Sequence, residues 1–431
     1  MKNFITDLTI KNVRGIQNLH IPLSKTDKKH LLITGKNGSG KTTTLIELNN
    51  SLNGLISGSF AQFIENKQKH ILKFQKQIKD YKKQKENLTD PMQLKNIEKW
   101  ISDLQNNILY SKRAIENWQE QVEEFSNLDL NFNQTEVYNE ISNGSFILAF
   151  FQAQRMNKPT VPKSIENVNL PKKNQTATTL HMQFIKFLVR LRNTMLNEQF
   201  DGDKNRAKKI KEWFDSFENT LKDMFGHKDL KLKYFNDTLN FKINYEDKEF
   251  ALNELSDGYS SLLAIVTEII LRMEAHGVKA YDMEGIILID EIETHLHIEL
   301  QKKVFPFLTK LFPNIQFIVT THSPFVLHSM PDSVICDLER REITSGDRFK
   351  NSSYSHIVKN YFEVDSEFSQ ILLNDIEKFE NLVNQFENGE VSEEAEEELL
   401  EMDIKLNKIS PMLSDEVYLR FKNAQEKILD K

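Results

Sequence analysis

The sequence has one cysteine, Cys336, among 431 residues. That excludes a disulfide framework and any multi-cysteine zinc site, and it suits a reducing, cytoplasmic compartment. Long apolar runs are missing as well. GIILID (285–290) and FILAFF (146–151) are among the longest, and both have the length of a strand, far short of the roughly 20 residues of a membrane-spanning helix. The N-terminal MKNFITDLTIKNVRG carries early charge and alternates, so it does not read as a secretory signal. The expectation is a soluble protein with no membrane partner. Basic excess is lacking too. The formal net charge is −7, which disfavours a chain that coats nucleic acid but leaves room for a local basic patch. Glycine is absent from about 62 to 125, where lysine, glutamine and glutamate dominate.

What is present is enough to bury a sizeable core: 39% of the residues are hydrophobic and 28% are charged. The length suggests two or three domains. Alternation predicts strands over 3–10 and 18–23, joined by a turn at Arg14-Gly15. HLLITG (30–35) reads as a buried strand running into a glycine-rich loop, and TTTLIELNN then reads as a helix. In the glycine-free stretch, Ile64, Ile71, Phe74, Ile78, Tyr81 and Leu88 keep heptad spacing, with Lys67 and Lys85 as polar exceptions. After Asp90-Pro91 the pattern restarts through Leu94, Ile97, Ile101, Leu104, Ile108, Ile115, Trp118, Val122 and Phe125, with Ser111 as its gap. Two such helices predict an antiparallel coiled-coil hairpin. FILAFF returns as a buried strand, 156–178 reads as a polar loop, 181–225 as helix and 230–250 as a strand pair. Helix 258–276, strand 285–290, helix 297–311 and strand 315–321 then alternate, the mark of a parallel sheet flanked by helices. Beyond about 363 the chain is acidic and helical.

Four motifs carry chemistry. GKNGSGKT (35–42) matches the phosphate-binding loop, placed between a predicted strand and a predicted helix. Gly35, Asn37, Gly38 and Gly40 belong to a loop whose N–H groups turn toward phosphates. Lys41 can reach the β- and γ-phosphates of ATP, Thr42 can ligate Mg²⁺, and Thr43 continues the helix start. GIILIDE (285–291) ends an apolar strand in Asp290, a candidate for the Mg²⁺ shell, and Glu291, a candidate general base. LSDGYSS (255–261) opens a helix, so that Ser256, Asp257 and Gly258 offer an anion-binding N-terminus. VTTHSP (319–324) puts His322 at the end of the neighbouring strand, within reach of a γ-phosphate. Zinc ligation by His295 and His297 is the weaker reading of that region.

Together with VRG near the N-terminus and FFQAQR (150–155), these motifs in this order resemble the ABC-type ATPase heads of the SMC and RecF kind. The resemblance covers about 1–60 and 140–365. It implies that Ser256 and Gly258 contact the γ-phosphate held by another copy, so that ATP joins a head-to-tail dimer or larger homo-oligomer. It further implies Glu291 as the catalytic base, His322 as a switch histidine, and Glu293-Thr294-His295-Leu296 as a loop crossing the interface. Arg14 would lie near the phosphates. Gln154 is preferred over Gln152 as the glutamine that senses Mg²⁺ and water, and the sequence does not separate the two. Asp257 and Tyr259 depart from the transporter-type signature and favour the SMC-like branch. The helical insertion precedes the glutamine strand, so it is not the chromosome-spanning arm of SMC proteins.

LNELSDGYSSLLAIVTEI and ILIDEIETHLHIELQKKVFPFLTKLFPNIQFIVTTHSPFVL are closer still to the stand-alone ATPases of bacterial anti-phage defence, the Septu type also found beside retrons. That likeness implies a separate nuclease partner. The expected architecture is an α/β P-loop ATPase head of ABC/SMC type, formed by 1–60 and 129–362. A coiled-coil hairpin occupies 61–128 and an acidic helical tail 363–431. The tail is a candidate docking element for the nuclease, and the lysine-rich hairpin a candidate contact for DNA or RNA. A RecF-like repair ATPase and a scaffold that holds ATP without turnover are the competing expectations.

Overall fold

The computed structural model describes residues 3–57, 59–86, 88, 90–125, 127–155, 158–170, 179–200, 202–275, 283–350, 352–354, 357, 370–389, 392–413 and 415–429. Two compact units divide the chain, Met1–Tyr354 and Ser355–Lys431.

In the first unit, β1 (Asp7–Val13), β2 (Ile16–Pro22) and β4 (Leu128–Asn131) form an antiparallel sheet in the order β2-β1-β4. The β1–β2 turn is at Arg14-Gly15, as expected, and both residues have positive φ, 48° and 83°. β1 sits a few residues later than the expected 3–10, and β2 begins two residues before the expected 18–23. The central sheet has the order β12-β11-β3-β10-β9-β5. Its members are β3 (Leu31–Thr34), β5 (Phe146–Phe151), β9 (Glu284–Ile289), β10 (Ile315–Thr320), β11 (Val334–Asp337) and β12 (Glu342–Ser345). β11, β3, β10, β9 and β5 are parallel, and only the edge strand β12 is antiparallel. LLIT, FILAFF and IQFIVT are buried at every position, because parallel strands are covered on both faces and leave no polar side. Cys336 lies in this core, fully buried, and burial pushes its thiol up to about 12.

The helices of this unit are α1 (Lys41–Ser57), α2 (Ser59–Glu86), α3 (Pro91–Phe125), α4 (Gln134–Asn143), α5 (Phe184–Phe200), α6 (Lys204–Phe225), α7 (Asp257–Ala275), α8 (Ile298–Leu311) and α9 (Pro324–Ser329). α2 and α3 pack antiparallel. Positions that climb one helix meet positions that descend the other: Lys67 over the Tyr110 ring at 5.4 Å, Tyr81 against Trp100 at 5.4 Å, and Lys85 to Glu98 at 2.7 Å. The polar heptad exceptions are thus used: Lys67 lays its ammonium on an aromatic face, and Ser111 is buried. The side chains of Ile64, Trp118, Val122 and Phe125 lie outside the described residues.

The expected strand pair over 230–250 is a three-stranded meander, β6 (Lys231–Phe235), β7 (Asn240–Tyr245) and β8 (Lys248–Ala251). Glu246 and Asp247, at φ 47° and 59°, make a two-residue turn of the mirror-image kind that suits the twist of a hairpin. The sequence lacks the glycine that usually marks such a turn. The second unit holds α10 (Gln370–Asn388), α11 (Glu393–Ile409) and α12 (Asp415–Leu429) around its own core of Ile376, Phe379, Val383, Leu406 and Phe421. The acidic cluster has a local cause. Glu393, Glu394 and Glu396 fill the first turn of α11, capped by Ser392, where the helix dipole favours negative charge.

Candidate nucleotide-binding site

The parallel order brings the ends of β3, β10, β9 and β5 side by side, and the candidate residues other than Arg14, Ser256, Asp257 and Gly258 follow those ends. This is the usual location of ligands on open parallel sheets. After β3 the chain turns through Gly35, Gly38 and Gly40, all at positive φ, before α1 begins at Lys41. At Gly35 a side chain is excluded, because its Cβ would lie 2.8 Å from Ser39 Oγ and 3.3 Å from the Glu339 N–H nitrogen. Arg14 borders the loop: a Cβ on Gly40 would lie 3.4 Å from Arg14 Cβ. Asn37 is exposed and Thr43 half-buried.

Lys41 is buried and donates to the carbonyls of Gly35 at 2.8 Å and Lys36 at 2.9 Å. Burial draws its ammonium below the usual lysine range, opposed by Glu291, Glu293 and Asp290. The hydroxyls of Ser39 and Thr44 are buried without a hydrogen-bond partner. A confined cation and orphaned hydroxyls beside a glycine-rich helix start are donors that a polyphosphate satisfies. Thr42 Oγ1 donates to Asp290 Oδ1 at 3.1 Å, and Thr320 Oγ1 donates to the same oxygen at 2.7 Å. Two hard oxygen ligands from different elements, already in contact, fit Mg²⁺.

Glu291 follows Asp290 with a left-handed backbone, φ 44°. Its N–H donates to Thr320 Oγ1 at 2.7 Å, and Thr294 Oγ1 donates to its carboxylate at 3.1 Å. His322 is half-buried after β10. Burial and then the Lys41 charge draw its imidazole below the usual range, while Glu291 and Asp290 oppose this, so all four groups share one electrostatic neighbourhood. The N–H of His322 donates to Glu293, and burial pushes that carboxyl up. Gln152 and Gln154 are both exposed on the loop after β5.

Ser256, Asp257 and Gly258 stand apart from this cluster. Ser256 precedes α7, and its carbonyl accepts from the Ser260 N–H at 2.8 Å. Gly258 packs on the 293–296 loop so closely that a Cβ would lie 2.8 Å from the His295 carbonyl oxygen. A cavity of about 440 Å³ opens here, lined among others by Ser256, Gly258, Tyr259, His295 and Lys303. Tyr259 stacks on Phe225 at 4.1 Å. No lining residue belongs to the phosphate loop or to β9.

The sequence reading did not single out Arg155, buried beside Asp290 and Glu291. Nor did it find the buried set of His181, Glu268 and Arg272. An arginine four residues beyond the end of the six-residue apolar run FILAFF, and a Glu-Arg pair four apart inside a largely apolar helix, were the available signals.

The chain is 33% identical over 184 residues to the Retron Ec83 probable ATPase of Escherichia coli, a stretch that covers 39% of this chain and 32% of that protein. It is 42% identical over 94 residues to the Septu protein PtuA of Bacillus mycoides (strain KBAB4), covering 21% of this chain and 13% of the relative. The matched stretches thus span at most about a third of the length of these relatives. Among solved structures, an Smc head bound to the C-winged helix domain of ScpA aligns at TM-score 0.37 and 12% identity, covering 79% of this chain and 97% of that one. No helix among the described residues is long and apolar enough to cross a membrane. Residues 62–328, more than half of the chain, match the family model described as "AAA domain, putative AbiEii toxin, Type IV TA system", and the chain belongs to that AAA-domain family.

Proposed function

We propose that this chain is an ATPase of an anti-phage defence system, and that two copies complete each nucleotide site. The observation that carries the reading is the contact of Thr42 with Asp290 beside the confined Lys41. It unites a phosphate-binding loop and a metal-binding carboxylate from distant parts of the sequence. Lys41 exchanges its two carbonyl partners for the β- and γ-phosphates. Thr42 and Asp290 hold Mg²⁺, which when bound neutralises charge on those phosphates. Glu291 takes the proton of the attacking water, and His322 faces the γ-phosphate. Arg14 borders the phosphates, and Gln154 is the preferred sensor of metal and water.

A second copy enters because the cavity at Ser256 and Gly258 shares no lining residue with the Lys41 cluster. Two half-sites on one protomer join head to tail, with the 293–296 loop between them. The defence role, and a separate nuclease gated by nucleotide state, follow from the likeness to Septu and retron ATPases; the acidic tail is the candidate docking element for that nuclease.

The test is phosphate release by the purified chain with Mg²⁺ and ATP. Lys41→Ala is expected to weaken ATP binding at least about a hundredfold and to remove turnover, because it deletes the cation that the phosphate loop confines beside Thr42 and Asp290. Binding of ATP at wild-type affinity by this variant overturns the assignment.

The lysine-rich hairpin supports contact with nucleic acid. Lys69, Lys73, Lys76, Lys79 and Lys83 are exposed and fall within about a third of the circumference of α2 at 100° per residue. Charge reversal of Lys73, Lys76 and Lys79 together is expected to weaken binding of duplex DNA about tenfold or more at low salt and to flatten its salt dependence. Equal affinity and slope would reassign these lysines to solvation of the helix.

A further inference from the structure

Arg155 joins the backbone of Glu291 to α7, the signature helix opened by LSDGYSS, inside one protomer. It follows β5 and is 7% exposed. A guanidinium has five N–H donors in a fixed fork, and here each has an acceptor. Nη1 donates to the carbonyls of Gln152 at 2.8 Å and Asp290 at 2.6 Å. Nη2 donates to the carbonyls of Glu291 at 2.9 Å and Ile292 at 3.5 Å. Nε donates to Ser261 Oγ, on the second turn of α7, at 3.2 Å. Three residues further along the chain, Lys158 donates to the Leu255 carbonyl at 3.0 Å and lies 3.8 Å from the Asp257 carboxylate. The loop after β5 therefore grips the start of α7 at two points, while its arginine grips three consecutive carbonyls at the end of β9.

The middle one of those carbonyls belongs to Glu291, whose φ of 44° is a left-handed conformation that side-chain-bearing residues enter at a cost. Such a conformation persists only where neighbours over-determine it. The Thr320 hydroxyl holds the N–H side of Glu291 and Arg155 holds the carbonyl side. The hydrogen bond from Nε to Ser261 makes the second grip depend on where α7 sits.

We propose that Arg155 is a positioning residue that holds Glu291 in its left-handed conformation and, through Ser261, couples that conformation to the position of the signature helix. A copy that engages Ser256 and Gly258 pulls on the helix that carries Ser261, so engagement is reported to the general base through one side chain. The proposal rests on the reading of Glu291 as that base.

Four variants of the full chain test it: Arg155→Met, Arg155→Lys, Ser261→Ala and Glu291→Gln. Steady-state phosphate release gives kcat and KM, and a fluorescent ATP analogue, mant-ATP, gives binding. Arg155→Met is expected to bind mant-ATP within about threefold of wild type while kcat falls about a hundredfold, the cost of an ångström-scale displacement of a reacting group. Arg155→Lys recovers only part of this, because an ammonium cannot serve five divergent acceptors. Ser261→Ala is expected to lower kcat about tenfold at unchanged KM, and to add nothing in the Arg155→Met background, since the two act as one unit. A purely structural arginine would lower thermal stability and mant-ATP affinity along with kcat. Wild-type kcat in Arg155→Met or in Ser261→Ala overturns the proposal. Should Arg155→Met fail to fold, Ser261→Ala decides alone, because it removes a single hydroxyl. Glu291→Gln separates the two readings. If it turns over normally, the base assignment falls and takes this proposal with it; if it is inactive while Arg155→Met is active, only this proposal falls.

Discussion

Glutamine in place of Glu291 is expected to cut ATP turnover by about a thousandfold, the middle of the range for loss of a general base, while ATP binding is retained. The substitution keeps the shape of the side chain. The N–H bond to Thr320 and the Thr294 hydroxyl contact both survive it, since an amide oxygen accepts as a carboxylate does. Only basicity is removed, so the variant stops after the phosphate loop and signature have engaged. ATP then accumulates between copies. Sedimentation should show a larger ATP-dependent species for Glu291→Gln than for wild type, and a phosphate-release assay should show the loss of turnover. Turnover close to wild type would move the base to Glu293. That carboxyl is pushed up by burial, accepts from the His322 N–H and influences Lys41.

The second large effect concerns stability. Glu268 is fully buried in α7 and accepts from three directions. The His181 N–H lies at 2.9 Å and the His181 imidazole at 3.2 Å from one oxygen, and Arg272 reaches the other from Nε at 3.0 Å and Nη2 at 2.8 Å. Arg272 also donates to the Leu148 carbonyl of β5 at 3.1 Å, so the set bolts α7 to the central sheet. Glu268→Ala leaves a buried guanidinium without its counter-charge, a loss of about 3–5 kcal/mol when one partner of a buried pair is removed. Against a typical total of roughly 5–15 kcal/mol, urea titration at neutral pH should find the unfolding midpoint lowered by a large fraction of its wild-type value. An unfolding midpoint equal to wild type would mean that the helix is held by its apolar contacts alone.

The same set gives a pH dependence. Burial alone pushes the Glu268 carboxyl up, but the His181 hydrogen bonds and the Arg272 charge outweigh it and hold it below the usual carboxylate range. A carboxyl lowered by folding contributes stability that is fully present above its unfolded value. That contribution is lost as pH falls through its folded value. The contribution of Glu268 should therefore begin to fall as pH enters the ordinary carboxylate range and be gone below its folded value, and Glu268→Gln should reduce the slope of stability against pH across that window.

The sequence was informative wherever one kind of residue serves one kind of chemistry. GKNGSGKT and GIILIDE located Lys41, Thr42 and Asp290, because phosphate loops and strand-end carboxylates tolerate few alternatives. FILAFF and IQFIVT read as central strands because strands covered on both faces are near-continuous apolar runs, and the buried polar members of the second, Gln316 and Thr320, are hydrogen-bonded. The legible part ends where neighbours decide. The Glu246-Asp247 turn has no glycine to announce it, and β8 was missed with it. β11 and β12 lack the alternation that would mark them; β11 owes its burial to lying beside β3, and β12 is an edge strand paired with β11 alone. Arg155 was visible as a letter, yet its meaning rests on four carbonyls and one hydroxyl contributed by three separate stretches of chain.

The burial of Cys336 also sets what labelling chemistry the molecule will accept. A thiol pushed up to about 12 is protonated at neutral pH, and full enclosure in the central sheet keeps alkylating reagents from its sulfur. Cysteines introduced at exposed positions, on the α2 hairpin and on α11, can then carry maleimide dyes with the native residue left in place. Distances between those dyes, across copies and with or without ATP, become readable in the otherwise unmodified chain.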